Sequence, residues 1–220
     1  MLYFSKTVIF LGKNDPQKKF YGSLKKFGKN QNIMSCQKIL TKINFILAPE
    51  NPQIQLDFDQ EKYGRNRNSQ NQKELEEFIE SNWSLKSDQN PKLYNASKFR
   101  LHNFVVNSNQ VIIQVGLTSY KELLGTHYHP KVQEFSKESQ EKFRHEFAFM
   151  SNCMGVGAIA ITLDNYVILQ KRAAWTGEAP GKIDRPGGHP EPSNISPNFT
   201  NEEVLEEIFK SPQEELRKRV

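Results

Sequence analysis

The stretch "GKIDRPGGHPEPSN", residues 181–194, raises a question about its paired glycines. Gly187 and Gly188 stand directly before His189, and Glu191 follows between two prolines. Glycine has no Cβ, so the backbone can turn sharply there or approach another group closely. The stretch therefore predicts a paired-glycine turn that presents a histidine and a carboxylate.

The segment before this turn predicts a β-hairpin. Two apolar, β-branched runs within residues 155–173 flank Asp164-Asn165, a pair typical of tight turns. Because the runs are almost continuously apolar, both faces of the hairpin are expected to be covered, as in a sheet between helices.

The segment after the turn predicts an irregular loop and then helices. The prolines of "PEPSNISPN" argue against regular structure. Thr200 and Glu203 form a capping box that predicts a helix start. Pro212 predicts that this helix ends and that Ser211 caps a second one, with Glu215 in its first turns.

The preceding part of the chain predicts a β-rich region with amphipathic helices. Strands are expected at "INFILAP" and "IQLDFD", followed by a polar loop over residues 61–72. Residues 72–83 and 136–150 have apolar residues at helical spacing. Between these helices, "KFRLHNFVVNS" and "QVIIQVGLTSY" predict a second hairpin.

The net charge of +5 is carried by the start of the chain. Residues 1–33 contribute +6 through seven lysines and one aspartate, which leaves −1 for the rest. A nearly neutral body argues against nucleic-acid binding, and the sequence contains no apolar run of membrane-spanning length.

Cys36 and Cys153 have no metal-ligand spacing. We expect a cytoplasmic protein without nucleic-acid or membrane partners. The basic extension over 1–33 is expected to be disordered or a targeting segment, and a mitochondrial address is the alternative.

Glycines before an acid and a glutamate-bearing helix suit phosphate chemistry. Glycine lets the backbone approach a phosphate, and helix carboxylates can hold Mg²⁺, which prefers oxygen ligands and bridges to phosphates. This pattern is moderately specific, because most glycine pairs form simple turns.

With these motifs the chain resembles the Nudix hydrolases, in their UDP-glucose pyrophosphatase branch. The resemblance rests on "KFRLHNF", "GLTSYKELLGTH", "GVGAIAIT" and "EAPGKIDRPGGHPEP", which occur in the order of that branch. It covers roughly residues 40–220. It implies an α/β fold, namely the first half of a Nudix-type αβα sandwich over 151–220, preceded by a small β-rich region over 34–150. The remaining strands and the second helix of the sandwich are expected to be absent.

The resemblance also implies a substrate and a site. UDP-glucose or UDP-galactose would be cut to UMP and a sugar 1-phosphate with Mg²⁺. The residues carried over as substrate-binding are Tyr94, Tyr120, Arg172, Gly177, Asp184, Gly187, Gly188, His189 and Glu191. Glu215 would be catalytic and bind the metal, and Glu191 would be a second catalytic residue.

Two positions depart from the family pattern. Asn194 stands where the general Nudix motif has a glutamate, although an insertion interrupts the motif in this branch. Lys218 and Arg219 replace the final pair of acids, so a cation occupies the second expected metal-ligand position. The alternative reading is therefore a catalytically impaired Nudix-like module that binds a nucleotide sugar or a protein partner.

Overall fold

The computed structural model describes residues 53–107, 110–157, 166, 168–174, 176, 180–194 and 198–217. The basic extension, the predicted strand "INFILAP", residues 158–165 and 167 of the hairpin predicted over 155–173, Gly177, Lys218 and Arg219 lie outside these residues. The described chain is a mixed α/β structure, as predicted.

The central element is a three-stranded sheet of β1 (Gln53–Phe58), β2 (Ser97–Val106) and β3 (Gln110–Ser119). Its order is β1-β3-β2, with β1 parallel and β2 antiparallel to β3. The predicted strand "IQLDFD" and the predicted hairpin are thus confirmed. A register shift between Leu101 and Asn103 bulges β2 at His102.

Three helices accompany this sheet: α1 (Gln72–Gln89), α2 (Tyr120–His127) and α3 (Val132–Phe143). Helix α1 was expected over 72–83 and continues to residue 89. Its buried residues Leu75 and Ile79 form a second core with Phe135 and Met150.

The helix expected over 136–150 ends earlier than predicted. Arg144 adopts a left-handed conformation with φ 52° and caps α3, so residues 144–150 leave the helical path. The apolar spacing of Phe147 and Met150 reflects burial in this connecting segment and not helical periodicity. The prediction of a helix is therefore wrong beyond Phe143.

The C-terminal part contains four two-residue strands and one long helix. The strands are β4 (Val156–Gly157), β5 (Gln170–Lys171), β6 (Ile183–Asp184) and β7 (Gly187–Gly188). Strand β4 pairs with β7 and β5 pairs with β6, both antiparallel. A short 3-10 helix at Pro192–Asn194 forms within the loop that was expected to be irregular.

Helix α4 (Asn201–Arg217) begins as predicted but does not break. The capping box is present: Thr200 N donates to Glu203 Oε2 at 2.8 Å and Glu203 N donates to Thr200 Oγ1 at 3.2 Å. Pro212 lies inside one continuous helix, so the predicted restart at Ser211 is wrong. The helix contacts β1, β4 and β7, and this packing offsets the cost of proline, about 3 kcal/mol.

One hydrophobic core joins residues from both sides of position 150. Val204 and Ile208 of α4 and Val156 of β4 pack with Phe99 and Ile113 of the sheet. The domain boundary at 150/151 stays a prediction, but the two regions share buried side chains. None of the described helices has the length and apolar character needed to cross a membrane.

Candidate functional site

The paired glycines, Gly187 and Gly188, have different surroundings. They lie in strand β7 and not in a turn, which corrects the prediction. A Cβ on Gly187 would lie 2.2 Å from the Val156 carbonyl oxygen and 2.7 Å from the Gly157 Cα, so pairing with β4 requires glycine. A Cβ on Gly188 would lie 3.7 Å from Cγ of Glu215, an ordinary contact. The first glycine serves strand pairing, and the second faces the glutamate of α4.

This difference predicts that two neighbouring alanine substitutions change stability by very different amounts. Gly187→Ala should destabilise the chain by at least about 2 kcal/mol, because backbone atoms of β4 would have to move. Gly188→Ala should change the free energy of unfolding by less than about 0.5 kcal/mol. Urea unfolding of both variants and the wild type measures the difference. Equal losses for the two variants would contradict the separate roles.

Glu191 lies at the junction of the N-terminal and C-terminal regions. Its Oε1 contacts Lys98 Nζ as an ion pair and accepts a hydrogen bond from the Tyr94 hydroxyl at 3.3 Å. Its Oε2 has a longer contact of 3.4 Å with the Ser193 hydroxyl. Lys98 comes from strand β2 and is buried, at 7% exposed. The predicted site residue Glu191 is thus fixed by groups from a distant part of the sequence.

Tyr94 and Tyr120, two residues predicted to bind the substrate, lie on adjoining segments. The Tyr120 amide donates to the Ala96 carbonyl at 2.9 Å, and the Lys121 amide donates to Asn95 Oδ1 at 2.9 Å. Tyr120 is the first residue of α2, and Tyr94 is 66% exposed. The negative charge of Glu191, followed by partial burial, raises the pKa of the Tyr94 hydroxyl above its usual value.

Glu207 of α4 holds the loop that carries Glu191. This buried carboxylate accepts from the Asn194 side-chain amide at 2.8 Å and from the Glu191 backbone amide at 3.4 Å through the same oxygen. Asn194, the residue at the position of the expected family glutamate, therefore donates to a carboxylate. Sequence reasoning missed Glu207 because it looked only like a polar residue beside the buried stripe of the helix.

Arg172 and Asp184 form the ion pair of a second group of predicted residues. Arg172 Nη1 lies 3.3 Å from Asp184 Oδ2, and Arg185 Nη1 lies 3.5 Å from Asp184 Oδ1. One carboxylate thus stands between two guanidinium groups. Strand pairing fixes the arrangement, because the Arg172 amide donates to the Lys182 carbonyl at 2.8 Å. The Arg185 side chain also packs against Gly157 of β4, where a Cβ would lie 2.1 Å from its Nε. Because Gly157 pairs with Gly187, this contact places the ion pairs next to the paired glycines.

His189 and Glu215 are the predicted site residues that lie near the ends of β4 and β7. His189 Nε2 lies 3.9 Å from the position that a Cβ would take on Gly155, so it sits at the start of β4. Glu215 lies beside Gly188. Within the described ranges, no group of three His, Cys, Asp or Glu side chains could hold a metal ion. Glu215 offers the carboxylate oxygens that Mg²⁺ prefers, but the described residues do not supply a full set of ligands.

Comparison with known proteins supports the sequence resemblance. "Uridine diphosphate glucose pyrophosphatase NUDT22" from Bos taurus is 32% identical over an alignment of 146 residues, which covers 61% of this chain and 50% of that protein. The Homo sapiens protein of that name is 30% identical over 153 residues, 64% of this chain and 50% of that protein. "Nudix hydrolase 9" from Arabidopsis thaliana is 29% identical over 160 residues, 62% of this chain and 50% of that protein. The chain thus spans about half the length of these relatives. No family model matches the sequence.

Proposed function

We propose that this chain, which is similar to UDP-glucose pyrophosphatases of the Nudix hydrolases over about half of their length, hydrolyses the pyrophosphate bond of UDP-sugars. UDP-glucose or UDP-galactose is the substrate, and UMP and a sugar 1-phosphate are the products. The observation that carries the proposal is the convergence on Glu191. Tyr94, Lys98 and Glu207 reach it from three separate segments.

Residues from both regions bind the substrate in this proposal. The exposed ring of Tyr94 and the ring of Tyr120 contact the nucleotide, because an aromatic ring can stack on a base. Arg172 binds a phosphate with paired hydrogen bonds in place of its 3.3 Å contact with Asp184. The glycine strand and His189 face the diphosphate, and glycine keeps the backbone close to it.

The reaction is the attack of water on one phosphorus and the cleavage of the bridging P–O bond. Mg²⁺, the cofactor that the family implies, would screen the diphosphate charge and help to place the water. Glu215 is the proposed metal ligand and Glu191 the second acidic residue of the centre. The chain's own contribution is orientation: Glu207 and Lys98 fix Glu191, and the packing of α4 on β7 sets Glu215 beside Gly188.

The second candidate function is a module that binds a nucleotide sugar or a protein partner without hydrolysis. The observation that favours it is Lys218-Arg219, because a cation at position 219 would repel Mg²⁺. A module that binds a nucleotide sugar would use the same nucleotide residues as the enzyme, so nucleotide binding alone does not separate these two. Product formation does.

Calorimetry with UDP, UDP-glucose and ADP tests the nucleotide site. Base–aromatic stacking contributes about 1–3 kcal/mol, so Tyr120→Ala should weaken UDP binding roughly five- to a hundredfold. UDP should bind more tightly than ADP. Tyr166→Ala removes an exposed tyrosine that has no proposed role, and should leave UDP affinity unchanged. Equal affinity for UDP and ADP, or no effect of Tyr120→Ala, would remove the uridine assignment.

A further inference from the structure

Lys98 is a buried cation that sequence reasoning did not assign to the site. It lies near the start of β2, where its backbone pairs with Thr118 of β3. Its side chain is 9% exposed, and its Nζ contacts Glu191 Oε1. A lysine is seldom buried unless it is paired. Because Lys98 is buried, its ion pair with Glu191 is not an incidental contact between two solvated side chains, and it points to a role in the site.

The hydrogen bonds of Glu191 indicate what Lys98 does. Oε1 is shared by Lys98 and by the hydroxyl of Tyr94. Among the residues that the structure describes, Oε2 contacts only the Ser193 hydroxyl, at 3.4 Å, whereas Oε1 carries the lysine. Like the 3.3 Å contact of Oε1 with Tyr94, the Ser193 contact is longer than the 2.5–3.0 Å usual for such a bond. Lys98 thus anchors one oxygen of the carboxylate and leaves the other able to accept from a ligand that lies against the exposed Tyr94 ring.

We propose that Lys98 is a positioning residue of the nucleotide-sugar site, which fixes the Glu191 carboxylate in the orientation that accepts from the ligand. This inference rests on the proposed function, because it needs the ligand to occupy the space beside Tyr94 and Glu191. Lys98 acts through Glu191 and does not itself bind the diphosphate. The three-stranded sheet, through β2, therefore contributes directly to the geometry of the site.

A double-mutant cycle on ligand affinity tests this role. Lys98→Met, Glu191→Gln and the double variant are compared with the wild-type chain by calorimetry with UDP. Lys98→Met should weaken UDP binding on the order of tenfold, because Glu191 loses its anchor. In the Glu191→Gln background the same change should alter affinity less than twofold. Lys98→Arg, which keeps a cation, should retain most of the affinity.

Two controls separate positioning from direct phosphate binding and from misfolding. Lys98→Met should weaken uridine and UDP by the same factor, whereas a phosphate-binding lysine would affect UDP far more. Lys137→Met removes an exposed lysine of α3, 78% exposed and 3.9 Å from Glu141, and should not change UDP affinity. Circular dichroism spectra that match the wild type show that each variant is folded.

The outcomes distinguish this inference from the proposed function. Wild-type binding with non-additive losses in the cycle supports the role of Lys98. Wild-type binding with additive losses, a larger loss for UDP than for uridine, or no effect of Lys98→Met overturns the inference alone. A folded wild-type chain that binds no UDP overturns the nucleotide site and the inference with it.

Discussion

Arg100→Leu should lower the free energy of unfolding by about 4 kcal/mol, because it leaves several buried carbonyl groups without a donor. Arg100 is 0% exposed. Its guanidinium donates to the carbonyls of Met150 at 3.1 Å, Tyr63 at 3.0 Å and Phe147 at 2.6 Å. One side chain thus connects β2 to the loop before α1 and to the segment that follows α3.

The charge of Arg100 persists in this setting. Burial, followed by repulsion from Arg65, lowers the pKa of Arg100 to about 10, so it is still a cation at neutral pH. Burial of His127, followed by repulsion from the Arg100 cation, lowers the pKa of His127 to about 4. His127 is therefore neutral at pH 7, and its Nε2 accepts a hydrogen bond from the Asn152 amide at 3.1 Å. A leucine at position 100 has the apolar volume for the core but none of the donors.

Urea unfolding of Arg100→Leu, Arg100→Lys and Arg217→Leu measures the effect. Arg100→Lys keeps the charge but has fewer donors in a different geometry, so its loss should be intermediate. Arg217 is exposed at the end of α4, and its replacement should change stability by less than about 0.5 kcal/mol. A loss below about 1 kcal/mol for Arg100→Leu would show that the carbonyls find other donors.

Glu215→Gln should reduce UDP-glucose hydrolysis on the order of a hundredfold or more, while UDP binding changes much less. The amide keeps the size of the side chain beside Gly188 but removes the charge that would hold the divalent cation. A hundredfold loss corresponds to about 2.7 kcal/mol of transition-state stabilisation, within what a metal ion supplies.

Glu214→Gln is the matched control for this substitution. Glu214 is the adjacent residue, and it lies 3.4 Å from Lys210 one helical turn earlier. Its loss should lower the rate less than threefold. The rates of both variants are measured at several Mg²⁺ concentrations. Equal losses for the two glutamates would mean that Glu214 shares the metal, and an unaffected Glu215→Gln would remove the assignment of Glu215.

Local sequence patterns predicted the elements that are set by local chemistry. The alternation in "IQLDFD", the polar loop before α1 and the hairpin of β2 and β3 appear where expected. The Thr200–Glu203 capping box forms as predicted, because its two hydrogen bonds join residues three positions apart. For these features the pattern of neighbouring residues is enough for a correct prediction, even where, as in β1, the strand also pairs with a distant one.

The errors arose where distant contacts override local preference. Pro212 should have ended a helix, yet α4 continues because it packs on β1, β4 and β7. Residues 144–150 have helical spacing but serve as a connection, and the carbonyls of Phe147 and Met150 accept from Arg100. No pattern within either segment encodes these partners.

In the candidate site, too, some residues could be predicted from the sequence and others depend on distant contacts. Tyr94, Tyr120 and Glu191 were singled out by resemblance, and the structure brings their segments together. Lys98 and Glu207 were missed because their roles depend on partners 93 and 16 positions away in the sequence. The residue type alone does not show whether a lysine or a glutamate is buried or exposed.

The proposed activity of this chain is the cleavage of the pyrophosphate bond of a UDP-sugar. Phosphorus-31 NMR of the wild-type 220-residue chain with UDP-glucose and Mg²⁺ tests it most directly. We expect the diphosphate signals to disappear and the signals of UMP and glucose 1-phosphate to appear in equal amounts. Unchanged UDP-glucose after prolonged incubation with the folded chain, or release of UDP in place of UMP, would contradict it.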